Sequence, residues 1–153
     1  MTPSANLMEF LRGWEGLPGG LPALNAYDDG TGVWTIGYGH TRGVHQRDTI
    51  TAETAEALLA SDLAPIADQV DQMVRVRVPQ NEYDALCSFA FNLGAQALRG
   101  STLLLCVNRN DPVAAAGQFT KWDHAGGKEL AGLLKRRTAE QHMFSDGDYS
   151  ARP

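Results

Sequence analysis

Apolar side chains recur at helical spacing from the start of the chain. Leu7, Met8, Leu11 and Trp14, with Phe10 alongside, follow Thr2-Pro3-Ser4. A hydroxyl cap with proline in the first turn starts a helix, and steps of three and four carry it on. Gly16 and Pro18-Gly19-Gly20 end it, and Pro22 keeps the next segment extended or looped. The period then changes. "YDDGTGVWTIGYG" joins a turn signal, Asp29 to Gly32, to a run of strand formers. This predicts a small, glycine-rich antiparallel sheet within residues 26–50.

The helical period returns after Thr51, which caps "TAETAEALLASDLAPIADQVDQMV". Ala55, Leu58, Leu59, Leu63, Ile66 and Val70 mark its apolar face, and Pro65 is expected to kink or interrupt it. Pro79 opens an apolar helix, "QNEYDALCSFAFN", closed by Gly94. Short helices are predicted over "STLLLCVN" and over "DPVAAAGQF", the latter with Asp111 as cap. One or two more fall within "GGKELAGLLKRRTAEQHMF", and the polar tail from Ser145 is expected to fray.

These elements predict an α+β fold in one domain, residues 1–153, with two lobes and a cleft between them. The β lobe takes residues 17–50, a linker helix residues 51–74, and a helical lobe residues 1–15 plus 79–146. Apolar residues at 43% and charged residues at 20% fit a globular chain. The net charge of −5 argues against nucleic acid as the partner, because phosphate binding needs a basic footprint. Lys128, Lys135, Arg136 and Arg137 still cluster late in the chain, and a solvated helix face is the plainer account of them. Cys87 and Cys106 lie in apolar runs and read as buried free thiols. With no zinc-type spacing, no basic and apolar leader and no window resembling a membrane span, the expectation is a cytoplasmic chain. Neither a metal nor stable membrane association is expected.

Three residues carry candidate chemistry. Glu15 closes an apolar helix beside Trp14, where desolvation would favour the protonated, proton-donating form. Asp29 sits with Asp28 at a wetter glycine turn, and the Thr35 hydroxyl follows on the next strand, able to orient a water. A neutral acid, an ionised acid and a water-holding hydroxyl suit glycoside hydrolysis with inversion, which needs the carboxyls roughly 6.5–9.5 Å apart. Capping and solubility explain most acid pairs near turns, so the spacing alone is weak.

The segment "WEG…AYDDGTGVWTIGYGHT" resembles the active-site segment of phage-type lysozymes, the endolysin family. The resemblance continues through "ITAETAEALLASDL", "QNEYDALCSFAFNLG" and the stretch from Ser101 to Phe144. It implies a lysozyme-like fold and hydrolysis of the β-1,4 bond between N-acetylmuramic acid and N-acetylglucosamine in peptidoglycan. Glu15 would be the general acid, with Asp29 and Thr35 placing the water. Asp29 is preferred to Asp28 because residues 30–34 reproduce the family's spacing to its threonine. Thirteen residues separate Glu15 from Asp29, longer than the family's connection by "PGGLP", Pro18 to Pro22. That insert is either an outward surface loop or an overhang on the cleft.

The resemblance further implies an ion pair of His40 with Asp62, and an arginine approaching the acid, for which Arg136 is the choice. It also places Asn92 as a cleft amide for an N-acetyl group. Asn92 could equally be a helix terminator, Tyr38 remains open as a sugar contact, and Trp122 and Phe91 read as core. No cofactor is implied, and a monomer is expected. The family's biology implies accumulation in the host bacterial cytoplasm and release to the wall through a holin-type lesion. A lytic transglycosylase and a non-catalytic peptidoglycan-binding protein are the alternatives.

Overall fold

A computed structural model describes residues 1–28, 30–125, 128–129 and 131–153, with 124, 125, 128 and 129 described by backbone alone. Helix α1 spans Ala5–Glu15 and is capped by Ser4, whose Oγ accepts from Leu7 N at 3.1 Å. The cap is therefore not Thr2. Ser4 has extended backbone (φ −80°, ψ 164°) and its hydroxyl reaches the third amide ahead, so the helix begins past the proline, at Ala5. Leu7, Phe10 and Leu11 are fully buried.

Strands β1 (Ala23–Asp28) and β2 (Trp34–Gly37) pair antiparallel, with Tyr27 opposite Thr35 and Asp28 opposite Trp34. The register breaks between Ala23 and Tyr27. There β1 turns its other edge to residues 48–50: Ala26 N donates to Asp48 O at 2.9 Å and Ile50 N to Leu24 O at 3.0 Å. In the turn, Asp28 Oδ1 accepts the amides of Gly30 and Gly32, both at 2.9 Å, with φ of 91° and 84°. Those left-handed positions are why glycine recurs here.

Helix α2 (Ala52–Met73) runs 22 residues from its Thr51 cap and is not interrupted at Pro65. Pro65 and Ser61, one turn back, lie on the exposed face, so the carbonyl that proline leaves unpaired faces water. The buried stripe is Ala55, Leu59, Leu63, Ala67, Val70 and Met73. Leu58 and Ile66 sit at its half-buried margin.

Helix α3 (Gln80–Leu93) is the centre of the helical body. All positions from Tyr83 to Ala90 are buried, so the helix is enclosed on every side. Around it lie α4 (Ala95–Arg99), α5 (Thr102–Asn108), α6 (Pro112–Ala116), a 3-10 turn at Phe119–Lys121 and the last helix, α7 (Ala131–Asp146). Phe89 stacks edge-on to Phe119 and Trp122, with centroids 5.9 and 5.4 Å away. Before α7, β3 (His124–Ala125) pairs antiparallel with β4 (Lys128–Glu129), the latter inside the stretch where helix was expected.

The tail does not fray at Ser145. Helix α7 runs to Asp146, and the chain then returns to α1 and α3. Tyr149 OH donates to Asp84 Oδ2 at 2.8 Å, and Arg152 Nη2 meets Glu9 Oε1 at 3.4 Å. Asp84 is wholly buried and also accepts Ser4 N at 3.2 Å, the Ser4 hydroxyl, and Gln80 Nε2 at 2.9 Å. One carboxylate thus ties the start of α1, the start of α3 and the tail together.

Candidate active site

The chain leaves α1 through Glu15 into Gly16. A Cβ on Gly16 would lie 2.6 Å from Arg12 O and 2.9 Å from the Gly20 carbonyl carbon, so the returning backbone admits only glycine there. The returning strand is the inserted segment: Leu17 N donates to Leu21 O at 2.8 Å, closing a tight turn. That turn, α1 and the tail wall an open cavity of about 790 Å³, whose lining includes Glu9, Arg12, Pro18 and Arg152. Glu15, Thr35 and Arg136 do not line it, so the insert shares this cavity with Glu9 and Arg12.

Glu15 is 20% exposed, and its Oε1 lies 2.6 Å from Arg136 Nη1. Arg136 is clasped from two more sides. Its guanidinium stands 5.8 Å from the Trp14 ring centroid, a cation–π distance. Its Nε contacts Glu140 Oε1 at 3.3 Å. Glu140 has no exposed surface and also takes the Ser88 hydroxyl at 2.7 Å and Arg137 Nη2 at 2.9 Å on the same oxygen. Its second oxygen faces Arg137 Nε at 2.9 Å. Arg137, equally buried, lies 5.2 Å from the Phe89 ring and donates from Nη2 to Asn92 Oδ1 at 2.9 Å.

A continuous path of contacts therefore runs Glu15–Arg136–Glu140–Arg137–Asn92. Burial pushes the Glu140 carboxyl up and the Arg137 guanidinium down, and each charge opposes the other's shift. A guanidinium stays protonated in proteins, so both arginines enter this path as cations. Asn92 itself is exposed. With Oδ1 taken by Arg137, Nδ2 is the part of the amide left to donate.

Thr35 is buried on β2, its hydroxyl 3.4 Å from Val33 O. Asp29, the expected water-holding acid, lies outside the described residues. Its neighbour Asp28 has its carboxylate engaged by the turn amides. His40 Nδ1 lies 2.8 Å from Asp62 Oδ2, and Nε2 lies 3.0 Å from Arg42 O. Tyr38, left open as a sugar contact, is turned inward. Its ring is buried and its hydroxyl donates to Glu56 Oε1 at 2.9 Å, beside the Arg12–Glu56 pair at 3.0 Å. Burial and that carboxylate raise the phenol to about 12.

The whole sequence from Arg12 to Glu140 matches the family described as Phage lysozyme. The chain belongs to that family. It is 44% identical to an endolysin of Acyrthosiphon pisum secondary endosymbiont phage 1 over 79% of this chain and 86% of the relative. An endolysin of Bacillus phage B103 is 45% identical over 75% of this chain, but the chain spans only 44% of that longer relative. Among solved structures, a mutant of P22 lysozyme superposes with a TM-score of 0.82 at 40% identity, covering 94% of this chain and 98% of the other.

The expected solvated face at the late basic cluster is divided by the family's fold. Lys135 is exposed, whereas Arg136 and Arg137 are buried. The side chain of Lys128 lies outside the described residues. Glu140, Ser88 and the role of Arg137 were missed in the sequence. The available signal was the spacing of Arg136 and Arg137 four and three residues before Glu140, which puts three charges on one helix face. Among the described residues there is no group of three or more metal-binding side chains, and no helix is long and apolar enough to cross a membrane.

Proposed function

We propose that this chain is an endolysin of the lysozyme type, a muramidase that hydrolyses the β-1,4 bond between N-acetylmuramic acid and N-acetylglucosamine. The observation that carries this reading is the Glu15 carboxyl at the end of α1, held by Arg136 at 2.6 Å, in a member of the phage lysozyme family. Glu15 gives its proton to the leaving glycosidic oxygen. Asp29, with Thr35, holds the water that attacks the anomeric carbon from the opposite face, so configuration inverts. The engagement of Asp28 by Gly30 and Gly32 supports Asp29 as the acid left for water. The Asn92 amide donates to an N-acetyl carbonyl. No cofactor takes part, and the enzyme acts as a monomer. It accumulates in the host cytoplasm and reaches the wall through a holin-type lesion.

The test is turbidity loss of purified sacculi with the parent, Glu15→Gln and Asp29→Asn, together with product analysis. General acid catalysis contributes about 10²- to 10⁴-fold, so Glu15→Gln should fall by that order while remaining folded. Clearing by Glu15→Gln at the parent rate would overturn the reading. Anhydro-muramic ends in the products would replace hydrolysis by transglycosylation.

A further inference from the structure

We propose that Glu140 is a positioning residue that aims two substrate-facing groups at once: Arg136 onto Glu15, and, through Arg137, the Asn92 amide outward. The proposal rests on the reading of Glu15 as the general acid. Glu140 touches neither Glu15 nor open cleft; it acts through the two guanidiniums.

The geometry is specific. Glu140 Oε1 accepts from Ser88 on α3 and from both arginines of α7, while Oε2 faces Arg137 alone. Two adjacent, buried cations would repel each other without this carboxylate. With it, each guanidinium is held inward and also reaches a site residue: Nη1 of Arg136 lies on Glu15, and the Arg137 Nη2 that meets Glu140 also donates to Asn92. A guanidinium is a rigid fork, so fixing one edge fixes the direction of the other. Stability alone does not account for the arrangement. Desolvating a buried ion network commonly offsets its attraction, and apolar side chains of similar volume would serve the core as well. What an apolar core cannot supply is direction. Arg137 Nη2 on Oδ1 fixes which end of the Asn92 amide faces outward, so a donor rather than an acceptor meets an acetamide carbonyl.

The experiment uses the full chain and two soluble substrates: peptide-free glycan strands, and the same strands after de-N-acetylation. The readouts are kcat, KM and the preference for acetylated strands, with thermal unfolding and near-ultraviolet circular dichroism as the check on folding. Small displacements at a reacting centre cost on the order of 10²-fold, so Glu140→Gln should lower kcat by roughly 10- to 100-fold and shrink the acetyl preference together with it. Arg137→Lys keeps the charge but loses the fork. It should raise KM and erase the acetyl preference while lowering kcat less. Ser88→Ala removes one bond to Glu140 and should move both quantities in the same direction by a smaller factor. A folded Glu140→Gln with parental kcat and preference overturns the proposal. Should Glu140→Gln fail to fold, unchanged preference in both Arg137→Lys and Ser88→Ala overturns it instead. Glu15→Gln separates the two readings. If it stays active, the acid assignment fails; if it is inactive while Glu140→Gln matches the parent, only the positioning role fails.

Discussion

Replacing Asp84 by alanine should be among the more damaging single substitutions in the helical body. The carboxylate is fully buried and accepts from Ser4 N, the Ser4 hydroxyl, Gln80 Nε2 and Tyr149 OH. Gln80 is exposed and recovers a partner from water. The other three donors sit at the packed meeting point of α1, α3 and the tail. At about 1 kcal/mol for each stranded donor, the low end of the usual range, Asp84→Ala loses about 3 kcal/mol. For a chain of this size each kcal/mol shifts Tm by roughly 2–4 °C, so the expected fall is about 6–12 °C. Tyr149→Phe removes one of those bonds and keeps the ring, so it should cost about 1 kcal/mol. Urea unfolding of parent and both variants, read as midpoint and slope, measures the difference. Limited proteolysis should also cut the tail sooner in Asp84→Ala. Stability of Asp84→Ala within about 0.5 kcal/mol of the parent would refute the reasoning, since surface-like sites behave that way. A Tyr149→Phe as damaging as Asp84→Ala would refute the sharing of the carboxylate among three segments.

Tyr38, Tyr83 and Tyr149 are all raised above the ordinary phenol value by burial, Tyr38 to about 12 and with help from Glu56, Tyr149 with help from Asp84. The folded state therefore keeps protons that the unfolded chain releases, so stability is intact below the ordinary phenol pKa of about 10 and falls as pH rises beyond it. Phenolate absorbance in the native protein should lag that of the denatured protein; coincident curves would contradict it. Gly16→Ala would push its Cβ into Arg12 O at 2.6 Å and into the returning Gly20–Leu21 backbone. Overpacking of this kind costs about 1–3 kcal/mol and here would also displace Glu15, so both Tm and lysis rate should drop. Parental values for both would show that the turn yields freely.

Much of this architecture can be read directly from the chain. Strand formers between glycines mark β1 and β2, and apolar steps of three and four mark α1 to α3. What escapes reading depends on contacts far apart in sequence. Tyr149 sits in a polar tail that looks free until Asp84, 65 residues earlier, is brought beneath it. Pro65 looks like a break until its solvent-facing position is known. Tyr38 reads as an open tyrosine in a glycine-rich segment, yet Glu56 on α2 takes its hydroxyl. Within the site, the Arg136–Glu15 contact was reachable through the family resemblance. The Glu140 network was not, because an Arg-Arg and Glu pattern on a helix is ordinarily a surface feature. Only packing against α3, with Ser88 reaching across, sets it inside.

The joining of α1 to α3 and α7 has a bearing on synthesis. Arg136, which holds the Glu15 carboxyl, is made 121 residues after it. Residues 23–73 must be made, and the central helix α3 after them, before α1 has a surface to rest on. Contacts of such long sequence separation form late. The nascent chain therefore carries its acid unclasped until α7 has been made, and the carboxyl and its guanidinium come together only as the last-synthesised helix packs.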